Sequence, residues 1–332
     1  LTFDESFKFL IPFGLIFIPL FLSLFFSLVT LILGPILNFN FSSIFLISGG
    51  LAFSDYLRAK ILTGFPWNLW AYSFSWASEI IQILNKIGLF AFNILSITIF
   101  LIPAFLFFNA KLPHKILSLI FISLMLFFFY IYGNHSINLN KENLSLTDQK
   151  IYVKVVSPNF ELKYGLTVEE IETRLKKLIR YSEPNNEKNT LFIWPEGVFS
   201  GLNYNQLLKF KKKFSKNFKK NNFILFGINR FNEDKTGYYN SLIIVNNSLE
   251  IIEEYNKQKL VPFGEFLPLE NILNKFGLKK ITEGHGSFLS GNDNGSLKIL
   301  NANILPLICY EIIFPELIQS SDQDTNLVVN IS

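Results

Sequence analysis

The chain has 332 residues, 50% hydrophobic and 16% aromatic, with 30 basic against 26 acidic side chains and a formal net charge of +4. Residues 1–135 carry only 10 of these charges, 6 basic and 4 acidic, and residues 136–332 carry the other 46. Such an uneven distribution excludes a uniform soluble domain and a disordered chain, and an excess of +2 in each part leaves no polyanion-binding surface, which argues against nucleic acid as a partner. A single cysteine excludes an internal disulfide and a cysteine-based zinc cluster. The chain begins at Leu1 within hydrophobic sequence and stops at Ser332 after an apolar run, so it is expected to be a fragment at both ends.

Residues 1–135 are expected to form a transmembrane helical domain of about four spans. No charge occurs from Phe9 to Ser54, and at ~1.5 Å per residue a bilayer needs ~20 apolar residues, so this stretch holds two spans. Gly34-Pro35, with Asn38 and Asn40, marks the break between them. Ile87–Ala110 and Ile116–Asn134 are uncharged and each long enough for one crossing. Between spans two and three, Thr63-Gly-Phe-Pro-Trp67-Asn-Leu-Trp70-Ala-Tyr72-Ser-Phe-Ser-Trp76 holds three of the four tryptophans. Indole rings favour the headgroup level, and Gly64 and Pro66 oppose an unbroken helix, so an interfacial or re-entrant loop is expected near 63–78. Lys111, His114 and Lys115 crowd the short loop before span four. Positive loops stay cytoplasmic, which places everything after His135 outside the cytoplasm, although Arg58 and Lys60 point the other way.

After a polar linker, 136–150, the pattern changes to short β-branched runs alternating with charged helices. Strands are predicted at Ile151–Val156, Leu191–Trp194, Phe223–Ile228, Ser241–Val245, Glu250–Tyr255, Leu297–Leu300 and Ile304–Ile308. Helices are predicted at Val168–Tyr181 and Tyr204–Lys220. In the second, Phe210, Phe214 and Phe218 recur every four residues, a stripe suited to covering a sheet, while the lysines occupy the other faces.

Three short motifs lie at predicted strand ends: Trp194-Pro195-Glu196, then Tyr255-Asn-Lys257-Gln-Lys259-Leu-Val-Pro-Phe-Gly-Glu265, then Ile308-Cys309-Tyr310-Glu311. Each alone has a plain structural reading, as a surface glutamate, a loop with solvated lysines, or an inert buried cysteine. Together they supply what acyl transfer needs. A thiol with a pKa near ~8.5 must lose its proton to attack a carbonyl, a carboxylate in a poorly solvated pocket can take it, and an ammonium can stabilise the oxyanion, worth roughly 3–4 kcal/mol in comparable sites. Histidine is not a credible base, because His114 and His135 flank the last span and His285 lies in a Gly-rich loop.

These motifs resemble the nitrilase (carbon–nitrogen hydrolase) superfamily. Asp55-Tyr-Leu-Arg58 with Leu62-Thr-Gly-Phe-Pro-Trp67, on a multi-span domain preceding the hydrolase domain, resembles its apolipoprotein N-acyltransferase branch. The resemblance runs from about Asp55 to Ser332. It implies an α/β nitrilase-like αββα sandwich for residues 151–332, C-terminally incomplete, on the periplasmic side of the bacterial inner membrane. It further implies a triad of Glu196 as base, Lys257 for the oxyanion and Cys309 as nucleophile, without cofactor or metal. Glu265, Tyr310 and Glu311 match positions read as triad support and acyl-pocket shaping. Trp67 falls on the membrane-side loop, and Lys163-Tyr164 stands where family members commonly carry Lys-Trp. The implied partners are a phospholipid acyl donor, a diacylglyceryl-modified lipoprotein acceptor and the bilayer. Two other readings stay open: a membrane-tethered amidase or nitrilase acting on a small amide, and a transporter or structural membrane protein with an inactive soluble domain.

Overall fold

The computed structural model describes residues 11–332 apart from 39, 62–63, 110, 146–150, 162, 164, 185–187, 263, 267–286, 293–294, 320 and 323. The chain divides into two compact units, Leu1–Asp148 and Gln149–Ser332.

The first unit is helical. Helix α1 (Ile11–Leu33) runs into a 3-10 turn, Gly34–Ile36, in which Pro35 ends the α-helical ladder. Helix α2 (Phe41–Arg58) starts at Asn40, whose side chain accepts a hydrogen bond from Ser43 N. A short α3 (Ser78–Ile81) precedes α4 (Leu84–Leu101) and α5 (Leu112–Ser145). Among the described residues three segments are long and apolar enough to cross a membrane, against the about four spans expected: Ile11–Ile36, Leu84–Phe107 and Leu112–Leu144. Helix α2 is not one of them, because Ser42, Ser43, Ser48, Ser54 and Gly49-Gly50 dilute its apolar length and its last turn holds Asp55 and Arg58. The predicted linker is also helical as far as Ser145, since extending an existing helix costs far less than starting one. Helix α5 passes the backbone of α3 at Gly133, where a Cβ would lie 1.7 Å from the Glu79 carbonyl oxygen, so only glycine fits.

The aromatic loop is tied down by a buried ion pair. Arg58 Nη2 donates to Asp55 Oδ1 at 2.8 Å, and Arg58 Nη1 donates to the carbonyls of Phe65 at 3.1 Å and Trp67 at 2.6 Å. The other Asp55 oxygen accepts from Asn93 Nδ2 on α4 at 2.9 Å, and Asn93 Oδ1 accepts from Ala71 N at 3.0 Å. One planar guanidinium thus spans a carboxylate and two carbonyls, a geometry that an ammonium cannot reproduce. The loop forms a 3-10 turn at Trp70–Phe74 rather than a continuous helix and leaves Phe65, Trp67, Trp70 and Trp76 exposed.

The second unit holds two sheets. Strands β1 (Tyr152–Val155), β2 (Thr190–Ile193), β3 (Asn222–Phe231), β4 (Tyr238–Val245) and β5 (Ile251–Asn256) form the first in sequence order, parallel from β1 to β3 and antiparallel from β3 to β5. The second is β6 (Leu297–Ile299) antiparallel to β7 (Ala302–Ile308), with β8 (Leu327–Ile331) parallel to β7. Helix α6 (Val168–Ser182) opens with a Thr167/Glu170 capping box. It covers one face of the first sheet together with α7 (Tyr204–Leu207) and α8 (Lys211–Asn217), and α9 (Pro315–Gln319) lies beyond β7.

The side-chain period of two sorts the first sheet into two cores. Phe192, Trp194, Phe226, Ile243 and Val245 meet Leu175, Leu178 and the stripe Phe210, Phe214 and Phe218 on the helical side. Trp194 satisfies its indole N–H on Ser182 Oγ at 3.0 Å. Leu191, Ile193, Leu225, Leu242 and Tyr255 meet Ile304, Ile308, Val329 and Ile331 of the second sheet. The predicted helix Tyr204–Lys220 is instead broken by a 3-10 turn at Leu208–Phe210 and ends at Asn217. Phe218 is extended there, and Lys219 N bonds Asn222 Oδ1 as the chain turns into β3. Strand β8 was not among the predicted strands.

Arg58→Ala is expected to leave Asp55 as an uncompensated buried charge, a loss of about 3–5 kcal/mol, and to open the loop to chymotrypsin between Phe65 and Phe74 in detergent-solubilised protein. Arg58→Lys should not restore protection. Cleavage at the parental rate in both variants would show that the loop is held by other contacts.

Candidate active site

All the polar groups of the site lie in the second unit, where the inter-sheet core ends. Glu196 is the third residue past β2: Trp194 N continues the ladder to Leu225 O at 2.8 Å, Pro195 ends it, and Gly197 turns the chain at φ 69°. On the neighbouring β3, Gly227 makes room for the glutamate. A Cβ there would lie 3.1 Å from Glu196 Cα and 3.2 Å from Ile331 Cδ1.

Lys257 directly follows β5 and is 1% exposed. Its backbone is held on both sides, with Lys257 N donating to Asn240 O and its carbonyl accepting from Gly291 N. The ammonium donates to Glu265 Oε1 at 2.8 Å. Glu265 Oε1 also accepts from Asn240 Nδ2 at 2.9 Å, and Glu265 Oε2 from Val261 N at 2.9 Å, so both oxygens of this carboxylate are engaged. Glu196 differs. Its Oε1 accepts from the same Asn240 Nδ2 at 2.7 Å, and among the described residues its second oxygen makes no hydrogen bond.

Cys309 begins a 3-10 turn (Cys309–Ile313) immediately after β7, at φ 54°. A non-glycine residue rarely adopts this left-handed backbone, and it marks a strained corner at which the strand stops abruptly. The thiol is half-buried. Two residues on, Glu311 is wholly buried and binds the two motifs together. Its Oε1 accepts from Tyr255 Oη at 2.9 Å, Gln258 N at 2.7 Å and Lys259 N at 3.0 Å, while Oε2 accepts from Ile308 N at 2.9 Å. Tyr310 packs edge-on against Phe314 with ring centroids 4.9 Å apart.

Burial sets the electrostatics. It pushes the Glu196 carboxyl above the usual carboxylate range, and the Lys257 charge and the Asn240 hydrogen bond offset this only in part. Burial also lifts the Cys309 thiol, as does the charge of Glu196, against the opposing pull of Lys257. For Lys257 burial is again the largest influence and acts downward, but Glu265 and Glu196 together outweigh it and hold the ammonium above the ordinary lysine value. The arrangement therefore favours the protonated thiol and the charged ammonium, and sets near them a carboxyl group with one oxygen free of hydrogen bonds among the described residues. Such a set can remove a thiol proton and hold negative charge that develops on a carbonyl oxygen.

Of the residues singled out in the sequence, Glu196, Lys257, Glu265, Cys309 and Glu311 come together. Trp67 belongs to the first unit and stacks on Phe65 at a centroid distance of 6.2 Å. Tyr164 and His285 lie outside the described residues, as do Leu62, Thr63 and Phe263 of the quoted motifs. Two residues of the site were missed. Asn240 lay just before the predicted strand Ser241–Val245, whose observed extent begins at Tyr238, and no sequence signal marked it. Gly227 sits inside a predicted strand, and an isolated strand glycine often marks a close approach.

Residues 164–332 match the family profile described as carbon–nitrogen hydrolase, and residues 2–102 that of the apolipoprotein N-acyltransferase N-terminal domain. A curated relative from Rhodopseudomonas palustris, "Apolipoprotein N-acyltransferase", is 28% identical over 346 residues, covering 99% of this chain and 63% of its own. One of the same name from Rickettsia prowazekii is 32% identical over 284 residues, covering 84% of this chain and 55% of its own. The chain thus spans about three-fifths of the length of the curated relatives it matches. Among solved structures, an amidase from Nesterenkonia sp. AN1 aligns with a TM-score of 0.35 at 13% identity, over 55% of this chain and 66% of that one. A carbon–nitrogen hydrolase from Helicobacter pylori G27 aligns with a TM-score of 0.37 at 15% identity, over 55% and 60%.

Two expectations follow from the geometry. Glu311→Gln replaces an acceptor oxygen by a donor, so at least one of the N–H or O–H groups it binds loses its partner, at about 1–3 kcal/mol. The second unit should melt measurably lower, and an unchanged melting temperature would show that the four hydrogen bonds contribute little. Gly227→Ala should displace Glu196 by a few tenths of an ångström. The alkylation rate of Cys309 by iodoacetamide should change while the melting temperature falls only slightly, and parental reactivity would mean that the neighbours absorb the methyl group.

Proposed function

Since the chain belongs to the carbon–nitrogen hydrolase family, we propose that it serves as an apolipoprotein N-acyltransferase. In this reading it moves a fatty acyl chain from a phospholipid, by way of a thioester on Cys309, to the α-amino group of a diacylglyceryl-modified lipoprotein. The observation that carries the proposal is that one chain joins a cysteine–glutamate–lysine site to a helical membrane unit with an exposed aromatic loop. A small-amide enzyme gains nothing from that fusion, whereas both substrates named here live in the bilayer.

The reaction runs in two halves. In the first, the open oxygen of Glu196 takes the proton of the Cys309 thiol as sulfur bonds to the ester carbonyl carbon. The carbonyl oxygen becomes an oxyanion beside Lys257, which among the described residues commits one of its three N–H bonds, to Glu265. The ester C–O bond then breaks, and the Glu196 proton passes to the departing glycerol oxygen, releasing a lysophospholipid. In the second half the lipoprotein amine attacks the thioester carbonyl and gives a proton to Glu196, and the C–S bond breaks to return the thiol. Ester and amine are consumed, alcohol and amide are formed, and the enzyme is restored.

Glu196 rather than Glu265 is the base, because both oxygens of Glu265 are already hydrogen-bonded. Glu311 aligns the Cys309 corner with the Lys257 loop, and Tyr310 and Tyr164 are assigned to shaping the acyl pocket. Trp67, with Phe65 and Trp70, is assigned to the lipid-facing surface. The site is placed on the periplasmic side of the inner membrane, as the positive loop at Lys111–Lys115 suggests.

The intact mass of the full-length protein in phospholipid micelles is expected to show one fatty-acyl adduct on Cys309, discharged by a diacylglyceryl-cysteine peptide. Cys309→Ser should lower acylation by more than about 3 orders of magnitude, because a carboxylate matched to a thiol cannot activate a hydroxyl comparably. Acylation needs ionised Glu196, whose pKa is raised, so the rate should be lost on acidification at a midpoint above the ~4.3 of an ordinary glutamate. Loss of charge on Lys257 should matter only above roughly pH 10, since its pKa is raised as well. A protein that hydrolyses small amides but takes no acyl chain from phospholipid would be the tethered amidase instead.

A further inference from the structure

We infer that Asn240 is a positioning residue of the reaction proposed above: its side-chain amide binds Glu196 by one oxygen and Glu265 by another, leaving a single Glu196 oxygen to receive the Cys309 proton. The inference rests on that reading for the identity of the base, and on the following observations for the rest.

Asn240 lies on β4 with the side-chain parity of Leu242 and Ile244, hence on the inter-sheet face rather than toward the helices. It is buried, and a buried amide in a strand is unfavourable unless its hydrogen bonds are made. They are made to two carboxylates at once. Nδ2 is 2.7 Å from Glu196 Oε1 and 2.9 Å from Glu265 Oε1, and an amide nitrogen carries two hydrogens, one for each. The orientation of the amide follows from its surroundings, because its oxygen could not face two carboxylates without repulsion.

The charges explain why asparagine suits this position. The groups that act on Glu196 are Lys257 at the end of β5, Glu265 in the loop beyond it, and Cys309 and Glu311 after β7. On the β3 side its backbone faces Gly227, which carries no side chain. The lysine hydrogen-bonds to Glu265 and not to Glu196, so among the described residues Asn240 is the only hydrogen-bonding partner that Glu196 has. A basic residue at 240 would pair with Glu196 and suppress its action as a base. An acidic one would add a third negative charge. An apolar one would leave Glu196 free to rotate and to protonate more readily. A neutral double donor avoids all three outcomes, and by sharing one nitrogen it keeps two like-charged carboxylates in fixed positions, one saturated and one open.

The test uses two variants with the same side-chain branching and heavy-atom count, Asn240→Leu and Asn240→Asp, in the full-length protein in phospholipid micelles. Three quantities are read against pH: acylation of Cys309 by mass spectrometry, alkylation of Cys309 by iodoacetamide, and the melting temperature. Removing one hydrogen bond to a charged acceptor should raise the acid-side midpoint by about one pH unit, and Asn240→Asp should raise it at least as far. Acylation at pH values below the parental midpoint should fall about 10-fold, and much of the loss should be recovered at higher pH, which a merely structural defect would not allow. A variant that melts like the parent but keeps the parental midpoint, or loses rate equally at every pH, overturns the inference. Loss of folding in both variants assigns Asn240 to stability and overturns it too. Iodoacetamide separates the two readings. A shifted alkylation profile in a protein that takes no acyl chain sinks the acyltransferase proposal while leaving the role of Asn240 standing.

Discussion

A buried ammonium needs a partner, and the arrangement around Lys257 follows from that requirement. Removing a lysine from water costs several kcal/mol unless anions compensate it, and unpaired it would lose its proton. Glu265 is hydrogen-bonded to it, Glu196 stands within electrostatic reach, and the fold holds Lys257 and Glu265 by backbone as well as side-chain contacts. The consequence is asymmetry. Two carboxylates share one cation and one amide, yet Glu265 is saturated with hydrogen bonds and Glu196 is not. Chemistry is available at the oxygen that structure leaves unclaimed.

The same physics recurs in the helical unit with the opposite emphasis. Asp55, Arg58 and Asn93 are buried, and nearly all their polar capacity is spent on one another and on the backbone of the aromatic loop. The cluster has the character of a scaffold: it fixes Phe65–Ala71 against α2 and α4, and the aromatic rings it does not bury remain exposed. In the second unit a charge cluster leaves one carboxylate oxygen without a hydrogen bond among the described residues, and in the first it shapes a loop.

The inter-sheet core gives the second unit its precision. Strand ends from both sheets converge where the apolar cluster of Leu191, Leu225, Ile304 and Ile331 stops; Lys257 and Cys309 each occupy the first position past such an end and Glu196 the third. Close packing transmits small displacements, so a methyl group at Gly227 or a lost acceptor at Glu311 is felt at the reacting groups although neither residue need touch a substrate.

Much of this was legible in the chain itself. Runs without charge identified the membrane part because hydrocarbon tolerates almost no ions, and the alternation of β-branched runs with amphipathic helices identified the α/β part because burial imposes its period on the sequence. The phenylalanine stripe and the strand-end positions of Glu196, Lys257 and Cys309 were readable for the same reason. Local pattern failed where competition between elements decided the outcome. The terminal ion pair of α2 turned to the aromatic loop, the linker continued α5, and the helix after Tyr204 broke to place Phe218. Asn240 shows the limit most clearly. Its residue type, at the head of an ordinary strand, carried no motif, and its two carboxylate partners lie 44 and 25 residues away in sequence. The chain specifies which side chains can do chemistry, since that depends on residue type and local backbone. Only the tertiary structure decides which oxygen of which carboxylate stays open, because that depends on donors brought together from distant strands.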